Sequence, residues 1–167
     1  MYLAMSDLLW ARWTNRIHEE WMRNVLQNYP HLTWEKLERT RDLMDRHASD
    51  PLVTDYEDLV AGLALPDPED RHVLAAAIRA GADAIVTFNL ADFPREILAT
   101  FDIEALHPDD LLERLIDLDL EAVCAAAKRD RESLRNPPKS VDEYLVDLER
   151  AGIPRTVAAL RPYRTIL

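Results

Sequence analysis

The 167-residue sequence has one cysteine, three glycines and no surplus of basic side chains. A single cysteine, Cys124, excludes an internal disulfide and suits a reducing cytosol. Within the run AVCAAA it reads as a small packing residue. So few glycines, beside 48% apolar and 31% charged residues, point to a globular, helix-rich chain. No apolar run approaches the ~18 residues of a membrane span. Residues 1–10, MYLAMSDLLW, lack the basic start and cleavage site of a signal peptide. The Cys and His residues have no zinc-site spacing. A net charge of −11 argues against a generic nucleic-acid binder, which carries a basic footprint. The charge is uneven: residues 1–119 hold 11 Lys and Arg against 24 Asp and Glu, and residues 120–167 hold 9 against 7. The acidic part suits divalent cations or a basic partner, and the C-terminal part could supply phosphate contacts; charge alone does not choose.

What is there is concentrated between Asp67 and Pro94, DPEDRHVLAAAIRAGADAIVTFNLADFP. Asp67 caps a helix that opens on Pro68, with Glu69 and Asp70 in the first turn. Val73, Leu74, Ala77 and Ile78 recur at helical spacing, and Gly81 stops the helix. Ala84–Thr87 reads as a short buried parallel strand. Asn89 and Asp92 follow its carboxyl end, where open α/β sheets place their sites, and Phe93-Pro94 starts another helix.

This stretch, from Asp70-x-x-Val73 through Gly81-Ala82 to Val86-Thr87-x-Asn89-x-x-Asp92-Phe93, resembles the PIN-domain nucleases. Within that family it is most similar to VapC-type toxins with a helical C-terminal extension. The resemblance implies an α/β fold whose parallel sheet, ordered 3-2-1-4-5, is flanked by helices. In the family the central strand comes first and ends in an aspartate, the first metal-binding acid. Here residues 1–10 read as an amphipathic helix fragment without an N-cap, and Asp7 within it does not match that aspartate. The sequence therefore reads as starting after the central strand, through a misassigned start codon or a truncation rather than genuine loss.

Along the rest of the chain, residues 11–13 are expected as a short strand, with Thr14 capping a helix to about Tyr29. Its apolar stripe is Ile17, Trp21, Met22, Val25, Leu26 and Tyr29. Helices are expected over 33–47, 56–63 and 94–100, and strands over 52–54 and 103–106. The core is placed at residues 1–106 and a helical extension at 107–167, with helices over 108–118, 119–136, 140–151 and 154–161. Asn136-Pro137-Pro138 is a stop, Ser140 with Glu143 a capping box, and Gly152 a helix end. The segment NPPKSVDEYL through AGIPRTVAAL also resembles the C-terminal part of the extended VapC-type toxins.

The resemblance implies Asp70 and Asp92 as metal ligands and Glu20 as the acid completing the cluster. It implies Asn89 as the group orienting water or a ligand carboxylate. Glu19, at the border of the apolar stripe, is the alternative to Glu20 on the polar face. Mg²⁺ or Mn²⁺ would suit such an oxygen set. Taken alone, these residues favour structural roles: Asp70 beside the positive end of a helix, Asp92 as a cap, and Glu19 and Glu20 as solvated glutamates. His72 reads as a packed histidine and Asp67 as a cap. The function implied is metal-dependent RNA cleavage in the cytosol by a homodimer restrained by a cognate antitoxin. Two rivals stand beside it: a non-catalytic PIN-fold module that binds antitoxin or RNA, and a plain helical interaction protein.

Overall fold

The computed structural model describes residues 8–135 and 137–167. Of the helical fragment expected over residues 1–10, residues 1–7, Asp7 among them, lie outside that range, and residues 8–10 are not helical. Asn136 of the expected stop also lies outside it. The first element is helix α1 (Asn15–Asn28), opened by Thr14, whose side chain accepts from the Ile17 N–H at 3.1 Å. Helix α2 (Trp34–His47) packs against it. Part of that contact is polar. Asp45 accepts from the Trp13 indole at 2.8 Å and lies 2.9 Å from His18 Nε2, while the Trp21 indole donates to His18 Nδ1 at 2.9 Å. Donation by Trp21 leaves Nε2 as the protonated nitrogen facing Asp45. The expected apolar stripe of α1 is corrected accordingly: Met22 is buried, Tyr29 is exposed, and His18 takes an interior place.

Trp13 and Leu52 form one parallel bridge, in which Trp13 N–H donates to the Pro51 carbonyl at 2.9 Å and Val53 N–H to the Trp13 carbonyl at 2.8 Å. The strands expected over 11–13 and 52–54 shrink to this bridge. With no further strand beside them among the described residues, such short segments have no ladder to extend. The helix expected over 56–63 is one turn, α3 (Glu57–Val60). The helix expected from Pro68 is divided into a 3₁₀ turn (Pro68–Asp70) and α4 (Arg71–Ala80). Gly81 ends α4 at φ 61°, with its N–H on the Ile78 carbonyl and Ala82 N–H on the Ala77 carbonyl. That pair of bonds is the Schellman arrangement, and the positive φ is why glycine stands there. Strand β1 (Ala84–Val86) follows, then a 3₁₀ turn (Leu90–Asp92), α5 (Arg95–Leu98) and β2 (Glu104–Leu106).

Strands β1 and β2 run parallel: Glu104 N–H donates to the Asp83 carbonyl, and Thr87 N–H to that of Leu106. These two parallel pairs are the ones the order 3-2-1-4-5 requires of its strands 2 and 3 and its strands 4 and 5. The fold is α/β, and a central strand is not among the described residues.

The chain forms two compact units. One comprises residues 10–85 and 89–105. Helix α4 is its hub. Leu74 and Ala77 pack with Leu65, Ile85, Phe93, Leu98 and Ile103, while Ala75 and Ala76 pack with Tyr56. Alanines at these places keep α4 close to both clusters. The other unit holds residues 86–88 and 106–167, with Leu8 and Leu9. It is built from α6 (Pro108–Leu118), α7 (Leu120–Ser133), α8 (Val141–Arg150) and α9 (Pro154–Leu160). Its core gathers Leu115, Val123, Cys124, Leu145, Val157, Leu160 and Leu167, so Cys124 is a packing residue. The Ser140–Glu143 capping box forms in both directions.

Candidate metal centre

Asp67 and Asp70 stand at the two ends of one 3₁₀ turn. Asp67 caps it, accepting from the Glu69 N–H at 2.8 Å, and Pro68 takes the first helical place. Asp70 occupies the N-cap position of α4 but makes no capping hydrogen bond, so its carboxylate remains for other partners. Asp92 closes the 3₁₀ turn that follows β1. Buried Ile85 before the turn and buried Phe93 after it fix that turn to the core. Asp92 does not cap α5, whose N-cap is Pro94. Asn89 Nδ2 donates to Asp92 Oδ2.

One carboxylate oxygen from each of Asp67, Asp70 and Asp92 lies within 4.8 Å of the other two. Asp67 is exposed, and Asp70 and Asp92 are half-buried. Burial, then the neighbouring carboxylates of Asp67, Asp92 and Glu20, push the Asp70 pKa above the usual carboxylate value. Glu20 is outside the three-carboxylate group, yet close enough for its charge to be felt by Asp70. Its Oε1 is 3.0 Å from Arg16 Nε and its Oε2 is 3.0 Å from His72 Nε2. Glu19 is exposed and paired with Arg23 at 2.8 Å, so Glu20 is the glutamate on the cluster side. His72 is buried, as the sequence suggested, and its pKa is lowered, chiefly by burial.

The structure thus brings together Asp70, Asp92 and Asn89, with Glu20 beside them. It adds Asp67, which sequence reasoning assigned to capping alone. The signal was present: in Asp67-Pro68-Glu69-Asp70, a tight turn closes the distance between its two aspartates. Three converging oxygens, one of them on a carboxylate whose charge is disfavoured by its neighbours, form a donor set that a hard divalent cation fits. No histidine or cysteine enters this set.

Residues 108–162 match the model of the VapC50 C-terminal domain. A protein of Mycobacterium tuberculosis named "Putative ribonuclease VapC50" is 40% identical over 106 residues, which cover 64% of this chain and 62% of that protein. The matched region therefore spans less than two thirds of that relative. No solved structure matches the chain. Residues 5–91 match the model of the PIN domain. That match takes in Glu20, Asp67, Asp70 and Asn89 and stops one residue short of Asp92. It spans more than half of the sequence, and the chain belongs to the PIN-domain family.

Proposed function

We propose that this chain is a divalent-cation-dependent endoribonuclease, the toxin of a toxin–antitoxin pair. The observation carrying the reading is the approach of Asp67, Asp70 and Asp92 to within 4.8 Å of one another in a PIN-family chain. The name of the M. tuberculosis relative supports RNA as the substrate class. In this reading Asp67, Asp70 and Asp92 hold Mg²⁺ or Mn²⁺, and Glu20 adds its charge from beside Asp70. Asn89 keeps the Asp92 carboxylate in one orientation through its amide. When bound, such a cation supplies Lewis acidity, activating water near neutral pH and screening charge on a scissile phosphate. The division of labour follows the two parts expected from sequence, a nuclease core over residues 1–106 and a helical extension over 107–167. The reading also places a cognate antitoxin as partner, a homodimer as assembly and the cytosol as compartment.

The test is Mn²⁺-dependent cleavage of RNA by this chain and by the chain extended upstream along its reading frame, each beside its Asp70→Asn variant. Cleavage that needs both Mn²⁺ and Asp70, in either form, supports the reading. If neither form cuts RNA, catalysis gives way to a binding module.

A further inference from the structure

His72 is a buried polar side chain that the proposed chemistry leaves unused. It is the second residue of α4, two positions past Asp70, and only 1% exposed. Its Nε2 lies 3.0 Å from Glu20 Oε2, yet the pair is not aligned as a hydrogen bond. Among the described residues neither ring nitrogen has a hydrogen-bond partner. Polar groups buried this deeply are nearly always paired, and an apolar side chain would fill the place at lower desolvation cost. Packing alone does not account for a histidine here.

Its neighbour does. Glu20 Oε1 is engaged by Arg16 Nε at 3.0 Å, and Arg16 Nη2 reaches on to Glu69 Oε2 at 3.2 Å. Each Glu20 oxygen therefore has a nitrogen 3.0 Å away, Arg16 Nε on its own helix and His72 Nε2 at the start of α4. A glutamate on a helix surface is free about three side-chain torsions, and beside Asp70 it is also repelled. Without partners it would swing toward water.

We propose that His72 is a positioning residue: with Arg16 it fixes the Glu20 carboxylate beside Asp70, so that this fourth acid counts toward binding a divalent cation. The proposal rests on the reading of the carboxylate cluster as a cation site. His72 is not itself a ligand, because its ring nitrogens are not among the converging donor atoms.

The test is Mn²⁺ titration of the full chain by electron paramagnetic resonance, with melting curves beside it. The set comprises wild type, His72→Leu, His72→Gln, Glu20→Gln, the His72→Leu/Glu20→Gln double variant and Asp70→Asn. His72→Leu is expected to weaken Mn²⁺ binding about tenfold, as loss of an outer-shell partner does. His72→Gln, which keeps an N–H near Oε2, is expected to recover most of that. In the Glu20→Gln background His72→Leu is expected to add less than about twofold, because its effect runs through Glu20. Wild-type binding by His72→Leu, or an equal loss in both backgrounds, overturns the proposal. So does unchanged binding by Glu20→Gln when Asp70→Asn has lost it. If His72→Leu does not fold, His72→Gln decides: near-wild-type binding supports the proposal, and a tenfold loss overturns it. Failure of the underlying reading looks different: wild type takes up no Mn²⁺, or Asp70→Asn binds it unchanged.

Discussion

Asp109 is a carboxylate with 2% exposure, in the first turn of α6. It accepts from Thr156 Oγ1 at 2.6 Å, Thr156 N–H at 2.8 Å and Arg155 N–H at 3.0 Å, joining α6 to the start of α9. Burial raises its pKa, but these bonds outweigh burial and hold it below the usual carboxylate value. Because the folded value is depressed, the stabilisation is complete above the unfolded pKa of about 4 and lost as pH falls through the folded value. Asp109→Asn is expected to cost about 2 kcal/mol at neutral pH. The gap between its urea midpoint and that of wild type should close below about pH 4; a constant gap down to pH 2 would contradict this account. Asp70 has the opposite sign. Its ionised form is opposed by burial and by Asp67, Asp92 and Glu20. Asp70→Asn should therefore melt higher than wild type in EDTA and lose any rise that Mn²⁺ gives. A lower melting point in EDTA would mean that the cluster is not under repulsion. Spacing along the chain gives no sign of this role, since the partners of Asp109 lie 46 and 47 residues away.

At the scale of elements, local signals were legible and cooperative ones were not. Gly81 at φ 61° and the Ser140–Glu143 box involve residues a few positions apart, so spacing alone reveals them. Gly81→Ala should cost about 1 kcal/mol through the left-handed backbone, and Gly81→Asn less, measured by urea unfolding. Equal stability for Ala and Gly would show that the turn relaxes. Gly152 combines φ 91° with a contact: an added Cβ would lie 3.2 Å from Phe88 Cε1. Gly152→Ala is expected to lose about 1–2 kcal/mol by the same measurement. The segments at 11–13 and 52–54 have suitable residues for strands, but strand length depends on what lies alongside, and here only Trp13 and Leu52 bridge.

For the molecule, two compact units mean two cores. Leu98 lies fully buried in one, and Leu160, at 1% exposure, in the other. All four tryptophans, Trp10, Trp13, Trp21 and Trp34, belong to the unit that contains α4, so their fluorescence reports on that unit. Each of Leu98→Ala and Leu160→Ala should cost about 2–5 kcal/mol of the core it opens. Leu98→Ala is expected to lower the fluorescence midpoint, and Leu160→Ala chiefly the midpoint of the helical circular-dichroism signal. Equal shifts in both signals for both variants would make the chain one cooperative unit.

The sequence by itself determined the helix stops, the caps, the acids following the short strand and the family to which their spacing belongs. These are matters of neighbours along the chain, where backbone geometry and side-chain reach suffice. Only the tertiary structure decided that Asp67 joins Asp70 and Asp92, that Glu20 rather than Glu19 stands beside them, 3.0 Å from nitrogens of Arg16 and His72, and that Asp109 is buried. Each depends on a group brought from elsewhere in the chain, and a carboxylate's role is set by which charges and donors surround it rather than by its place in the sequence.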